Sequence, residues 1–240
     1  MLSLDEIRTV LFDLDGTLRH NKPSAAEVFT DYVAHCGYRI TREDYLRALR
    51  WEHYYWATSP ELLADMSVYK VKDRQFWHKY TQRRLLALGL SSLAADSLAP
   101  QVCQYMDESY QPVNVVPAEL PGMLATLRSA GYTLGVVSNR DHPFWELLQE
   151  MGLCPFFDFS LAGGEVQSWK PEPGIFQAAL ERANTTAAQT LYVGDNYFAD
   201  VIGAHRAGLQ PVLYDPLGLF HDPGCPVIAS FEELVKRLLD

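Results

Sequence analysis

The chain has 240 residues, 48% of them apolar, enough for a sizeable core in one large domain or two modest ones. Its formal net charge of −10 argues against a nucleic-acid partner, because a binder of the phosphate backbone needs a basic face. It leaves room for a small phosphate ester, whose charge a divalent cation and one or two lysines can offset locally. No uncharged apolar run approaches the ~18 residues of a membrane span, so no membrane partner is expected. The stretch from Met1 to Arg8 carries Asp5 and Glu6 without a basic-then-apolar pattern, so no signal peptide is expected. Cys36, Cys103, Cys154 and Cys225 lie far apart without a CxxC pair and read as reduced thiols of a cytoplasmic protein.

The apolar run Thr9 to Leu14 predicts a buried strand. It lies in Val-Leu-Phe-Asp-Leu-Asp-Gly-Thr-Leu, residues 10–18, the most informative run of the chain. Side chains alternate along a strand, so Asp13 and Asp15 are expected on the same side, with Gly16 letting the backbone turn. Two crowded carboxylates persist when a cation sits between them or when one keeps a proton, and both conditions suit phosphate chemistry. Ser24-Ala-Ala-Glu27 resembles a capping box that opens a helix running toward Cys36, with Gly37 as its stop. Helical patterns recur at 42–57, 73–88 and 91–109, with no convincing strand between 24 and 110. After Pro117 helices are expected at 121–130, 143–151, 174–183, 198–207 and 231–239, and strands at 133–137, 157–161, 190–193 and 211–214. Strands alternating with helices imply an α/β fold with a parallel sheet covered on both faces. The boundaries expected are a core of 1–19 and 113–240 with an all-helical insert of 20–112.

Ligands of open parallel sheets bind beyond the carboxyl ends of the strands. Three expected strands deliver polar groups there: Asp13 and Asp15, then Ser138-Asn139, then Gly194-Asp195. A carboxylate can attack a phosphoryl group in line and split one hard hydrolysis into two easier steps, and by position alone either Asp13 or Asp15 could do so. The remaining one could protonate the leaving alkoxide, its pKa raised by the like charge beside it. Ser138-Asn139 offers a hydroxyl and backbone N–H groups to a phosphate, although such a pair is also an ordinary turn or helix cap. Lys170, in Ser-Trp-Lys-Pro-Glu-Pro, could neutralise carboxylates and phosphate or be a solvated surface lysine. Asp195 is placed to complete a magnesium site. Asp200 could hold Lys170 or a metal-bound water, or simply favour a helix N-terminus.

The insert holds Trp51, Tyr54, Tyr55, Trp56, Tyr69, Phe76, Trp77 and Tyr80. They read either as a stacking surface for a flat leaving group or as helix-packing core. His20 could contact substrate or be structural. His53, His78, His142 and His205 show no ligand spacing, so zinc is not expected.

Taken in order, Asp-Leu-Asp-Gly-Thr, Ser-Asn after an apolar strand, Lys-Pro-Glu-Pro and Gly-Asp followed by a further aspartate resemble the motifs of the haloacid-dehalogenase-like superfamily of hydrolases. The resemblance spans Thr9 to about Asp215. It implies a Rossmann-like core with a mobile helical cap inserted after the first strand. It implies Asp13 as nucleophile and magnesium ligand, and Asp15 as general acid/base with its backbone carbonyl on the metal. It further implies Thr17 and Ser138 on the phosphate with Asn139 supporting, Lys170 stabilising nucleophile and phosphate, Asp195 on the metal, and Asp200 as a second acid close by. Members that remove halide from carbon lack the second aspartate and need no metal, so Asp15 argues against that activity. Phosphonate-cleaving members also differ there and use a cap lysine; Lys22, Lys70, Lys72 and Lys79 are available, but Asp15 again disfavours them. The expected activity is magnesium-dependent hydrolysis of a small phosphorylated metabolite through an aspartyl-phosphate on Asp13. A phosphotransferase or sugar phosphomutase is the alternative, and a catalytically silent module whose aromatic insert docks a protein is a third. The sequence leaves the oligomeric state open.

Overall fold

The computed structural model describes residues 6–70 and 73–239. Part of the amino-terminal leader reading, residues 1–5, and Lys72 lie outside the described residues. The chain divides into two compact units, one of Met1–His20 with Val116–Asp240 and one of Asn21–Val115.

Strand β1 (Thr9–Phe12) is buried at every position. It stops at Phe12 rather than Leu14, because the Leu14 carbonyl turns to accept the N–H groups of Leu18 and Arg19 at 3.0 Å each. Strand β2 (His20–Lys22) follows, and pairs with β3 (Val113–Val115) in a two-stranded sheet that the alternation of residue types does not announce.

Between them lie α1 (Ala25–His35), α2 (Arg42–Trp56), α3 (Pro60–Val68), α4 (Arg74–Ala87) and α5 (Ser92–Ser109). The Ser24/Glu27 capping box is present, and Thr41 with Asp44 makes a second one. α3 is the helix the sequence reading lacks: Ser59 caps it and Pro60 occupies its first turn, where a proline is favourable rather than disruptive. α1, α2, α4 and α5 enclose one apolar core around Phe29, Leu85 and Val102. A second is built on Tyr55, Leu62, Phe76 and Tyr80.

The other unit continues with α6 (Leu120–Ser129), β4 (Thr133–Ser138), α7 (Trp145–Glu150), β5 (Phe159–Ala162), α8 (Gly163–Val166), α9 (Pro173–Ala183), β6 (Thr190–Gly194), α10 (Ile202–Arg206), β7 (Gln210–Tyr214), β8 (Val227–Ile228) and α11 (Phe231–Leu239). The expected strand at 157–161 starts two residues later, after a 3-10 turn at Cys154–Phe156. The expected helix at 198–207 begins instead as a π-helical turn at Tyr197–Val201. Six strands form one parallel sheet in the order β5-β4-β1-β6-β7-β8. Alternation along each strand divides the core between the two faces. Val10, Phe12, Val136 and Val193 pack with α6, α7 and α11 on one face. Leu11, Val137 and Tyr192 pack with α9 and α10 on the other. Phe12 is level with Val136 and Val193, so β4, β1 and β6, adjacent in the sheet, end side by side.

Candidate active site

Asp13 is the first residue beyond β1, and its N–H extends the ladder by bonding the Val193 carbonyl at 2.9 Å. Its carboxylate is 8% exposed and accepts from Lys170 Nζ at 2.5 Å. Lys170 is buried as deeply, and its ammonium also donates to Asp200 Oδ1 at 2.7 Å and to the Tyr192 hydroxyl at 3.0 Å. Its main chain is pinned by Asn139, whose amide takes the Lys170 N–H at 2.6 Å and donates to the Lys170 carbonyl at 2.9 Å. Asn139 thus supports the site through the lysine backbone.

Asp200 is held by the π-helical turn. Its Oδ2 accepts the Asn196 N–H at 2.9 Å while Asn196 Oδ1 caps the turn on the N–H groups of Phe198 and Ala199. π-turns recur at functional sites because they re-aim a side chain; here the result is an acid 1% exposed and bonded to Lys170. Asp195 follows Gly194 at the end of β6 and accepts the Thr17 hydroxyl at 3.1 Å. Gly16 has φ +99°, and a Cβ there would lie 2.4 Å from the Asp195 carboxylate. Only glycine satisfies both constraints. Ser138 is buried at the end of β4.

One carboxylate oxygen from each of Asp13, Asp195 and Asp200 lies within 4.8 Å of the others. Burial, then the Asp200 carboxylate, pushes Asp195 up from its ordinary 3.8 to about 7, against the Thr17 hydrogen bond and Lys170. Burial also raises Asp13 well above its ordinary value, with Lys170 opposing and Asp200 and Asp195 reinforcing. For Lys170 burial disfavours the charge, but Asp13 and Asp200 outweigh it, so the ammonium stays protonated. Burial keeps the Tyr192 phenol protonated. Three carboxylates, Asp13 and Asp200 buried and Asp195 half-buried, gather around one lysine, an excess of acidic groups in a set of hard oxygen donors. That donor set fits a magnesium ion, which takes oxygen ligands and carboxylates in particular.

The Asp15 carboxylate is not part of this cluster. It is 43% exposed, and Arg140 grips it in a fork at 3.1 Å on each oxygen while Arg19 Nε sits at 2.9 Å. The expectation that Asp13 and Asp15 crowd each other on one strand face is therefore corrected: β1 ends before either, and Asp15 turns to guanidinium groups instead of carboxylates. Arg140, Arg19 and Tyr192 are absent from the expected site. Arg140 directly follows Ser138-Asn139, and a cation placed immediately after a polar strand end was the available signal. Tyr192 lies two residues before Gly194-Asp195, and a phenol in an aliphatic strand was its signal.

In the helical unit the eight aromatics divide. Tyr55, Phe76 and Tyr80 are buried core, with Trp51, Trp56 and Tyr69 packed against them. Trp56, Trp77 and Tyr80 also line a cavity of about 770 Å³ together with Phe29, Glu52 and Arg84. Arg84 is buried in its wall over the Phe29 ring, 4.5 Å from the centroid, and paired with Glu52 at 2.9 Å. Lys79 donates to Gln82 at 2.7 Å. His20 lies beside the Tyr214 ring. The four cysteines are free thiols, and no helix among the described residues is long and apolar enough to cross a membrane.

A family model described as haloacid dehalogenase-like hydrolase matches residues 7–208. The chain is 32% identical over 142 residues to haloacid dehalogenase-like hydrolase domain-containing protein 3 of Mus musculus, a stretch that covers 59% of this chain and 56% of the mouse protein. It is 28% identical to a phosphoglycolate phosphatase of Pseudomonas putida, over 95% of this chain and 75% of that one. A 2-haloacid dehalogenase of Pseudomonas syringae superposes with a TM-score of 0.55 at 26% identity, covering 97% of this chain and 98% of the other.

Proposed function

The chain belongs to the haloacid dehalogenase-like hydrolases, and from that premise we propose that it is a magnesium-dependent phosphatase acting on a small phosphorylated metabolite through an aspartyl-phosphate on Asp13. The observation that carries this reading is the cluster in which Asp13, Asp195 and Asp200 converge on each other, with Lys170 bonded to Asp13 and Asp200. An excess of carboxylate calls for a cation, and a cation held there can in turn offset the charge of a phosphoryl group; cleaving carbon–halogen bonds calls for neither. The second aspartate of the first motif, Asp15, favours the same side, and the likeness to a phosphoglycolate phosphatase supports it.

Asp13 attacks phosphorus in line with the ester oxygen. Its oxygen–phosphorus bond forms as the ester bond breaks, and Asp15 delivers a proton to the departing alkoxide. Asp15 then takes a proton from the water that attacks the acyl-phosphate, which releases inorganic phosphate and restores Asp13. Lys170 stays protonated throughout and keeps a positive charge against the nucleophile and the incoming phosphoryl oxygens. Thr17 and Ser138 offer hydroxyls to the phosphoryl group. Magnesium held by Asp13 and Asp195, with the Asp15 carbonyl, would offset phosphoryl charge when bound. We assign the helical unit the role of a cap that selects the organic group.

The test is phosphate release from para-nitrophenyl phosphate with and without magnesium, for the parent and for Asp13→Asn. Release that needs both magnesium and Asp13 is expected. Undiminished release by Asp13→Asn would end the proposal, and phosphate passed to an added alcohol or sugar instead of water would replace hydrolase by phosphotransferase.

A further inference from the structure

Parallel strands covered on both faces are usually aliphatic, and β6 departs from that at Tyr192, which is wholly buried between Leu191 and Val193. A buried phenol is unfavourable unless its hydroxyl is partnered. Here it is partnered in both directions. The hydroxyl donates to the Val137 carbonyl on β4 at 3.1 Å and accepts from Lys170 Nζ at 3.0 Å. The ring is set edge-on against Phe176, with centroids 5.0 Å apart and planes at 69°. Ring packing and the backbone bond together fix where the oxygen sits.

Asp13, Asp200 and the Tyr192 hydroxyl thus surround one ammonium. Of these three acceptors only the phenol is not a carboxyl group, and only its acceptor oxygen is itself bonded to a backbone carbonyl of the sheet. We propose that Tyr192 is a positioning residue that keeps the Lys170 ammonium at Asp13 while the charge on Asp13 changes during turnover. The role rests on the phosphatase reading. When an Asp13 oxygen bonds phosphorus, the charge on the Asp13 side passes outward to the phosphoryl oxygens, while Asp200 keeps its own where it was. The ammonium is then pulled between two anionic groups whose positions relative to it have changed. An acceptor fixed to Val137 opposes its displacement.

The experiment compares the full chain with Tyr192→Phe and Asp13→Asn, using para-nitrophenyl phosphate and magnesium. Phe keeps the ring against Phe176 and removes only the hydroxyl. We expect kcat to fall about tenfold or more with KM within about twofold, because the affected interaction matters in the chemical step, and the unfolding midpoint to fall modestly, because the Val137 carbonyl and the Lys170 ammonium each lose one buried hydrogen bond. Site-specific 3-fluorotyrosine at position 192 keeps the shape and weakens the oxygen as an acceptor, and should give an intermediate kcat. It also decides the matter if Tyr192→Phe does not fold. An Asp13→Asn protein that is inactive beside a Tyr192→Phe protein with parental kcat would overturn the role of Tyr192 alone. A kcat that returns to the parental value once corrected for the folded fraction would also overturn it, as the mark of packing. An Asp13→Asn protein that stays active would remove the phosphatase reading, and the Tyr192 role with it.

Discussion

Arg140 holds the Asp15 carboxylate in a two-pronged contact, Nε to Oδ2 and Nη2 to Oδ1, each 3.1 Å. The planar fork of a guanidinium matches a carboxylate in this way. The residue expected to give up a proton is thus surrounded by cations. Both side chains are more than a third exposed, so the pair contributes less than about 1 kcal/mol, and Arg140→Ala should leave the unfolding midpoint almost unchanged. Asp15→Asn should slow the first turnover of an alkyl phosphate by about 10²-fold or more, the range for loss of a general acid. The first-turnover burst of para-nitrophenolate should suffer far less, because that leaving group needs little protonation. Equal losses on the two substrates would take Asp15 out of the acid role.

Lys170 is the only ammonium bonded to both Asp13 and Asp200 among the described residues. Removing one partner of a buried ion pair leaves uncompensated charge, at about 3–5 kcal/mol. Lys170→Met should lose stability in that range in metal-free buffer, read by urea unfolding. Magnesium should restore part of it, since the cation serves the same carboxylates. A midpoint that does not move in metal-free buffer would show that the acids are protonated there and need no partner.

The parts of this architecture that were legible are local. Apolar runs ending in Asp13, Ser138 and Gly194-Asp195 mark strand ends because a strand needs no acid to fold, and Ser24 with Glu27 marks a helix start because the two satisfy each other's backbone donors. α3 is absent from the sequence reading, and its start is marked only by Ser59 as cap and Pro60 in the first turn, where a helix tolerates it. The π-turn at Tyr197–Val201 was missed because hydrophobic spacing over five residues does not separate it from an α-helix. Arg140 and Tyr192 were missed for another reason. Arg140 meets Asp15 across 125 residues and Tyr192 meets Val137 across 55, so their roles exist only once the sheet has assembled.

Gly16 and Asp195 come together from opposite ends of the chain. Alanine at position 16 would need φ near +99° and would press its Cβ into the Asp195 carboxylate. Gly16→Ala should destabilise by more than about 1 kcal/mol, the cost of a β-carbon at an incompatible φ. It should also weaken magnesium binding by calorimetry, since the displaced group is the proposed ligand. Parental affinity in a destabilised Gly16→Ala protein would separate the turn from the metal site.

Asp195 shares with Asp13 the pH dependence of the metal-free state. Its folded pKa of about 7 lies above the ordinary 3.8, so the folded chain holds a proton that the unfolded chain has released. The sign follows: the associated stability is fully present below the ordinary carboxylate range and is lost as pH rises to about 7. Magnesium and the proton compete for the same carboxylate, so affinity should fall by up to about tenfold per pH unit below about 7. The magnesium-induced rise in unfolding midpoint should therefore be larger at about pH 8 than at about pH 5.5. Asp195→Asn removes both the titrating group and one ligand. It should flatten the metal-free stability profile up to neutral pH, apart from the contribution of Asp13, and abolish the magnesium effect at either pH. An equal magnesium effect at both values in the parent would mean that Asp195 is already ionised in the acid and is not where the proton and the metal compete.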